Sequence, residues 1–481
     1  MTMFDWFHAF VDWGNGIIWG YLLIYLLIGV GLYFTVATRF MQIRHFGHMW
    51  QLLKISNHGA RAGGISSFEA LMTSLAARVG TGNLAGVAIA IYLGGPGAIF
   101  WMWITALVGM STSFVESALA QAYKVPHTDN IYRGGPAYYI EKGLGQRWLA
   151  ILFALCLLAA FGLAFNGVQA NTIAQAVNEA FHIPTWVTGI GLVLLTAPVV
   201  FGGMKSVARV AGKIVPVMAI LYLLLAVFVI ITNLPQLPSA ITLIFKSAFG
   251  LEQAAGGALG YTIAQAMMNG IKRGLFSNEA GMGSAPNAAA TAQTYPNHPA
   301  TQGFMQMLGV FIDTLVICTA TASIIILSGV VDPNVKQEGI QLTQLALSQY
   351  VGNLGVYFIA VAIFFFSFTT IIANYSYGES NIEFIAGPKV AKVAVMILRV
   401  AVLAMIFIGS IANLQAVWSF ADLSMGLMAL INLVAIVWLS PVAFRVLKDY
   451  ERQLKLGKHP TFDPNDFKKL RHEANRDAWN D

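Results

Sequence analysis

The sequence predicts an all-α polytopic membrane protein with 11 transmembrane helices, the last ten forming a five-plus-five inverted repeat behind one additional N-terminal helix. Three observations carry that expectation. Of 481 residues, 57% are hydrophobic and 10% charged, with mean hydropathy +0.67, whereas soluble domains carry about 25% charged residues. Apolar windows near ~20 residues long, enough to cross a bilayer, recur along the chain. Lysine and arginine gather in alternate connections between those windows. The formal charge of +6 does not point to nucleic acid, because the basic residues stand in short blocks with no aromatic-interleaved basic face. The expected surroundings are a lipid bilayer, and no obligatory protein partner is evident.

The first window, 15–38, follows Asp5 and Asp12 and precedes the first basic residue, Arg39. It therefore lacks the basic start of a signal peptide and reads as a permanent anchor. The first half of the repeat, 65–232, contains windows at 65–93, 98–122, 148–178, 185–203 and 211–232. The second half, 257–440, contains 257–291, which is interrupted by glycines, then 303–329, 354–384, 390–411 and 418–440. The tail, 441–481, mixes both charge signs and suits a surface-lying segment, so a single transmembrane domain spans 1–480. With the N-terminus outside, the inner segments hold 23 Lys and Arg, and the outer ones only Lys246 and Lys336. That bias predicts an N-out, C-in protein of the cell membrane, the inner membrane of a bacterium. Cys156 and Cys318 both fall in apolar windows and read as packing residues.

The window 65–93 carries Arg78-Val79-Gly80-Thr81-Gly82-Asn83 at its centre. Unpaired backbone groups in hydrocarbon cost several kcal/mol each, so a helix breaks there only where a ligand, ion or cavity satisfies them. Gly80 and Gly82 lack a Cβ and let a ligand approach the backbone. The N–H groups of Thr81, Gly82 and Asn83 open the outer half-helix and suit a carboxylate, while the carbonyls freed between Ala76 and Val79 suit a hard cation. A zwitterion travelling with a cation needs that pair of features. Overlaying Arg78-x4-Asn83-x2-Gly86 on Arg273-x4-Asn278-x2-Gly281 matches three identities at an offset of 195 residues, and an odd number of windows in each half makes the halves antiparallel. The competing reading of these small residues is close helix packing.

Gly80-Thr81-Gly82-Asn83-Leu84-Ala85-Gly86-Val87-Ala88 followed by Gly94-Gly95-Pro96-Gly97-Ala98-Ile99-Phe100-Trp101-Met102-Trp103 resembles the signature of the alanine or glycine:cation symporters, the sodium:alanine symporter family. Phe276-Ser277-Asn278-Glu279-Ala280-Gly281-Met282-Gly283-Ser284-Ala285-Pro286-Asn287 resembles its second hallmark. The resemblance covers about 15–465. It implies secondary active symport, driven by Na+ and occasionally by H+, of a small neutral amino acid, alanine or glycine, through a LeuT-type fold. No cofactor is implied beyond Na+ as coupling ion. It places substrate carboxylate and sodium at the break, and it points to Thr369 and Thr370 with the carbonyls of Ala76 and Val79 as the sodium ligands. The alternative for Ser367-Phe368-Thr369-Thr370 is hydroxyl back-bonding within its own helix.

Phe161, Phe165 and Gln169 share one helix face, two aromatics and an amide suited to a small amino acid or, alternatively, to helix contacts. Asn269, Gly274, Phe276 and Ser277 occupy the repeat-related region where the substrate's ammonium and side chain are expected. Glu69, Arg78, Glu116, Lys272, Arg273, Glu279 and Asp313 lie at membrane depth, where charges should form buried networks or face water. Gly94-Gly95-Pro96-Gly97 reads as an outer turn. The chain has no phosphate-binding Gly-x4-Gly-Lys-Ser/Thr loop, no Gly-x-Ser-x-Gly and no His-Glu-x-x-His, which argues against an enzyme. The remaining alternatives are an ion or solute channel and an H+-coupled amino-acid transporter.

Overall fold

The computed structural model describes residues 3–58, 64–127, 131–251, 263–331, 339–466 and 478–479. Several expectations fall outside them: the start of the second half at 257–262, Lys336, Arg61, and the basic residues of the tail beyond 466.

Among the described residues, seven helices are long and apolar enough to cross a membrane, or eight if one bent pair counts as a span. The first, α1 (Ala9–Ala37), packs against α5 (Gly97–Ala122) and α16 (Leu414–Lys455). A short amphipathic helix, α2 (Phe46–Ile55), leads to the bent pair α3 (Ser67–Arg78) and α4 (Gly82–Gly94), which meet at 48°. After α5 come α6 (Pro136–Leu144), α7 (Arg147–Phe181), the shorter apolar α8 (Thr185–Phe201), α9 (Ser206–Thr232) and the surface helix α10 (Leu237–Ala248). The second half holds α11 (Ile263–Asn278), α12 (Ala285–Thr291), α13 (Pro299–Ser328), α14 (Ile340–Val351) and α15 (Asn353–Ile411), then α16. Two expected windows share α15, which turns at Gly387 (φ 69°) just before Pro388. Helical segments therefore stand at every expected window, although not all are long enough to span alone.

The overlay of the two halves needs a correction. An offset of 195 from Val79–Thr81 would put the second break at 274–276, yet α11 is unbroken to Asn278 and the chain leaves the helix between Glu279 and Ser284. The matched identities have different backbones: Gly86 has helical φ −63°, while Gly281 has φ 92°.

Local chemistry sets where α3 starts. Ser66 and Glu69 form a reciprocal capping box, each side chain accepting the other's backbone N–H at 3.1 and 2.9 Å. Glu69 is thus a cap. Ile65–Ser66 also pairs, in parallel, with Ala292–Gln293 just after α12, tying the start of α3 to the end of α12. At the centre, α7 and α15 pack along their lengths and flank the break between α3 and α4.

Candidate functional site

The last backbone bond of α3 runs from Val79 N–H to the Leu75 carbonyl at 2.7 Å. Val79 then leaves the helix with ψ 85°, and the helix resumes at Gly82. The freed carbonyls meet α15. The Thr370 hydroxyl lies 2.7 Å from the Ala76 oxygen, 3.4 Å from the Val79 oxygen and 3.0 Å from the Phe366 oxygen of its own helix. One hydroxyl has one proton. The Ala76 and Val79 carbonyls, at the open end of α3, thus share one hydroxyl proton that the Phe366 carbonyl also attracts, a donor deficit of the kind a hard monovalent cation relieves. Thr369 is placed differently: its hydroxyl donates to the Phe365 and Phe366 carbonyls at 3.0 and 2.9 Å, back-bonding within its helix.

Gly80 is required by proximity, since a Cβ there would collide with the Thr370 hydroxyl and come within 2.9 Å of Gln169 Oε1. At Gly82 a Cβ would stand 3.1 Å from both Phe276 Cδ1 and the Ser277 Cα. Gln169 turns its amide oxygen to the break, accepting from the Thr81 N–H at 2.9 Å and the Thr81 hydroxyl at 2.6 Å. Ser367 meets that hydroxyl at 2.9 Å. Gln169 therefore covers one N–H group expected to face a carboxylate. The Gly80 N–H is covered as well, donating to Asn83 Oδ1 at 2.9 Å.

A buried carboxylate joins the two interrupted helices. Asp313 Oδ1 accepts from Asn83 Nδ2, and Oδ2 accepts from the hydroxyls of Ser277 and Thr314, all at 2.7 Å. The Cys318 thiol lies 3.2 Å from the Ser277 hydroxyl and 3.3 Å from Asn83 Nδ2, so it borders this polar cluster rather than only filling space. Asp313 has no ion-pair partner among the described residues and depends on these neutral donors.

Aromatic rings close the opposite side. Phe161 to Phe165, Phe165 to Phe276 and Phe276 to Trp418 have centroid spacings of 4.6, 4.4 and 4.7 Å. Above Trp418, Arg273 stacks at 4.4 Å and shares Asp422 with Lys272, at 2.5 and 2.8 Å. Beyond this lies a cavity of about 210 Å³. Two expected substrate residues are not at the break. Asn269 lines that cavity and back-bonds to the Gln265 carbonyl, and Gly274 faces Met102 and Thr105 of α5, where it serves helix packing. Both misplacements follow from the shifted second break.

The other ionisable residues are held mainly by hydrogen bonds. Glu116 accepts from the Gly281 N–H at 2.9 Å and from Asn432 at 2.7 Å, and Glu279 accepts from Ser284 at 2.7 Å. Arg78 donates to the Gln306 carbonyl at 3.2 Å and to Ser113 at 3.4 Å. Sequence reasoning missed Trp418 and Asp422 as site neighbours. The available signal was an acidic residue four positions into an apolar window that begins with tryptophan.

The family model described as the sodium:alanine symporter family matches residues 4–464. The chain belongs to that family. Its members are transporters rather than enzymes, and amino-acid and sodium symport at a membrane is this symporter's function class. It is similar to the amino-acid carrier protein AlsT of Bacillus subtilis, with 51% identity over 100% of this chain and 99% of that one. The probable sodium/glutamine symporter GlnT of the same organism is also 51% identical, over 93% of this chain and 91% of that one. The sodium/alanine symporter AgcS of Methanococcus maripaludis is 38% identical, over 92% and 97% of the two chains.

Proposed function

We propose that this symporter imports alanine or glycine with Na+ by alternating access, using the break between α3 and α4 as a shared site. The observation that carries the reading is the convergence of the Ala76 and Val79 carbonyls on the Thr370 hydroxyl, one turn from N–H groups and glycines facing Gln169 and Phe276. The substrate carboxylate takes up the Gly82 N–H and replaces the Gln169 oxygen at Thr81 and the Gly80 carbonyl that accepts from the Asn83 N–H at 3.2 Å. Na+ takes the oxygen cluster at Thr370, with Thr369 joining by a change of rotamer. Ser277 and Phe276 complete the cradle for the ammonium and side chain. Eleven spans, arranged five-plus-five behind α1 with the N-terminus outside, fit the helix positions and the Lys and Arg bias.

Substrate size separates alanine from glutamine, which identity to named relatives does not. Phe165, Phe276 and Trp418 stack at 4.4 and 4.7 Å beside the break, so the proposed site suits a hydrogen or methyl side chain, and overpacking a closed cavity costs ~1–3 kcal/mol. In proteoliposomes with an imposed Na+ gradient, alanine and glycine should compete for labelled alanine uptake, while glutamine and leucine should not. Shortening the ring by Phe165→Ala should admit leucine as a competitor. Wild-type uptake of leucine or glutamine equal to that of alanine contradicts the small-substrate reading. Uptake driven equally by an H+ gradient alone would instead assign the coupling to a proton, for which the Asp313 carboxylate, held by the neutral donors Asn83, Ser277 and Thr314, is the candidate carrier.

A further inference from the structure

A cleft of about 590 Å³ opens between the C-terminal ends of α1 and α16, away from the substrate site. Arg39 and Arg44 line it from the α1 side, and Lys448, Arg452 and Lys455 from the last turns of α16, against one carboxylate, Glu451. Glu451 is committed to Arg44 at 2.9 Å and His45 at 2.8 Å, and Arg452 is paired with Asp449 at 2.5 Å. Arg39, Lys448 and Lys455 are exposed and have no ion-pair partner among the described residues.

The backbone is built around this opening. Arg39 and Phe40 both adopt φ 56°, a left-handed conformation that costs a non-glycine residue stability. Arg44 secures the turn by donating to the Arg39 and Thr38 carbonyls at 2.8 and 2.9 Å. The floor is apolar: Ala37, Leu447 and Phe444, whose ring lies 6.0 Å from those of both Tyr33 and Phe34. Tyr33 and Val36 continue the apolar surface along α1, 48% and 63% exposed. A cationic mouth thus adjoins an uncovered apolar wall at the end of a membrane span.

We infer that this cleft binds the phosphate headgroup of an anionic phospholipid, with the acyl chains lying along Tyr33 and Val36 of α1. The inference rests on the N-out, C-in arrangement, which sets the cleft at the inner leaflet. A small soluble anion would satisfy the cations and leave the apolar wall uncovered, whereas a phospholipid matches both. Basic pockets beside cytoplasmic helix ends have this chemistry. The bound lipid bridges α1, the helix outside the repeat, to α16.

The test uses the full-length protein in detergent, titrated separately with phosphatidylglycerol, phosphatidylcholine of the same chains, glycerol phosphate and inorganic phosphate, with lipid adducts counted by native mass spectrometry. Phosphatidylglycerol should bind at least tenfold more tightly than phosphatidylcholine. Combining Arg39→Gln, Lys448→Gln and Lys455→Gln should weaken it by roughly 100-fold, about fivefold per cation. The control variant Lys213→Gln, Lys389→Gln and Lys392→Gln removes as many inner charges elsewhere and should leave that binding intact. Equal affinity for the two lipids, an unaffected cleft variant, or an equally weakened control would overturn the inference. Inorganic phosphate or glycerol phosphate binding as tightly as the lipid would overturn it too, by making the cleft a small-anion site.

Discussion

The two interrupted helices break by different means. Between α3 and α4 the chain leaves the helix with no left-handed residue, Val79 having φ −79° and Thr81 φ −55°. Its freed groups are met from outside, by Gln169 on α7 and by Ser367 and Thr370 on α15. Between α11 and α12 the opening runs through Glu279, Gly281 and Gly283, with φ 59°, 92° and 83°. There Glu116 accepts from the Gly281 N–H, and Asn432 donates to the Gly281 carbonyl at 3.0 Å. Hydroxyl and amide partners are neutral and can be exchanged for a carboxylate or a cation at modest cost. A backbone set by positive φ and gripped by a buried carboxylate cannot rearrange so cheaply. On the proposed function, the first break is where ligands exchange with side chains, and the second is a fixed frame behind the intact helix that carries Phe276 and Ser277.

The largest expected effect is at the first break. Gly82→Leu should abolish alanine uptake while the protein still inserts, because the new side chain must occupy the space held by Phe276 and Ser277. Wild-type uptake at equal membrane abundance would move the ligand elsewhere.

Sodium dependence gives the next largest contrast. Thr370→Val removes the hydroxyl at the carbonyl cluster and should raise the Na+ concentration for half-maximal uptake roughly tenfold, in line with ~1–3 kcal/mol for a lost buried polar partner. Thr369→Val should raise it less, because that hydroxyl must first leave its back-bonds. Equal shifts for the two would remove the distinction between them.

The smallest effect belongs to the second break. Gly281→Ala should lower thermal stability by about 1–2 kcal/mol through its positive φ, while the Na+ dependence of uptake stays at the wild-type value. A shifted Na+ dependence at normal stability would show that the second break also takes part in ion binding.

The first break was legible because its chemistry is local. Glycine, threonine and asparagine within six residues announce exposed backbone, and Thr370 could be set against Ala76 and Val79 through a family resemblance. The second break misled because glycine spacing does not report φ. Gly86 and Gly281 match in sequence, yet one is helical and the other left-handed. That shift carried Asn269 and Gly274 into the expected site, although one faces the cavity beside Trp418 and the other packs on α5. Contacts made only by folding stayed hidden. The Arg273–Asp422 pair spans 149 positions and the Ser277–Asp313 bond 36. Gln169 was recognised as facing the site, but its direct hold on Thr81 depends on how α7 approaches the break.

Amino acid and sodium sharing one break must each raise the other's affinity by the same factor. Equilibrium binding of labelled alanine to the purified protein, measured across a Na+ series, tests this most directly. Alanine affinity should climb with Na+ in the wild type and stay nearly flat in Thr370→Val. Alanine affinity independent of Na+ in the wild type, or a Na+ dependence unchanged by Thr370→Val, would contradict it.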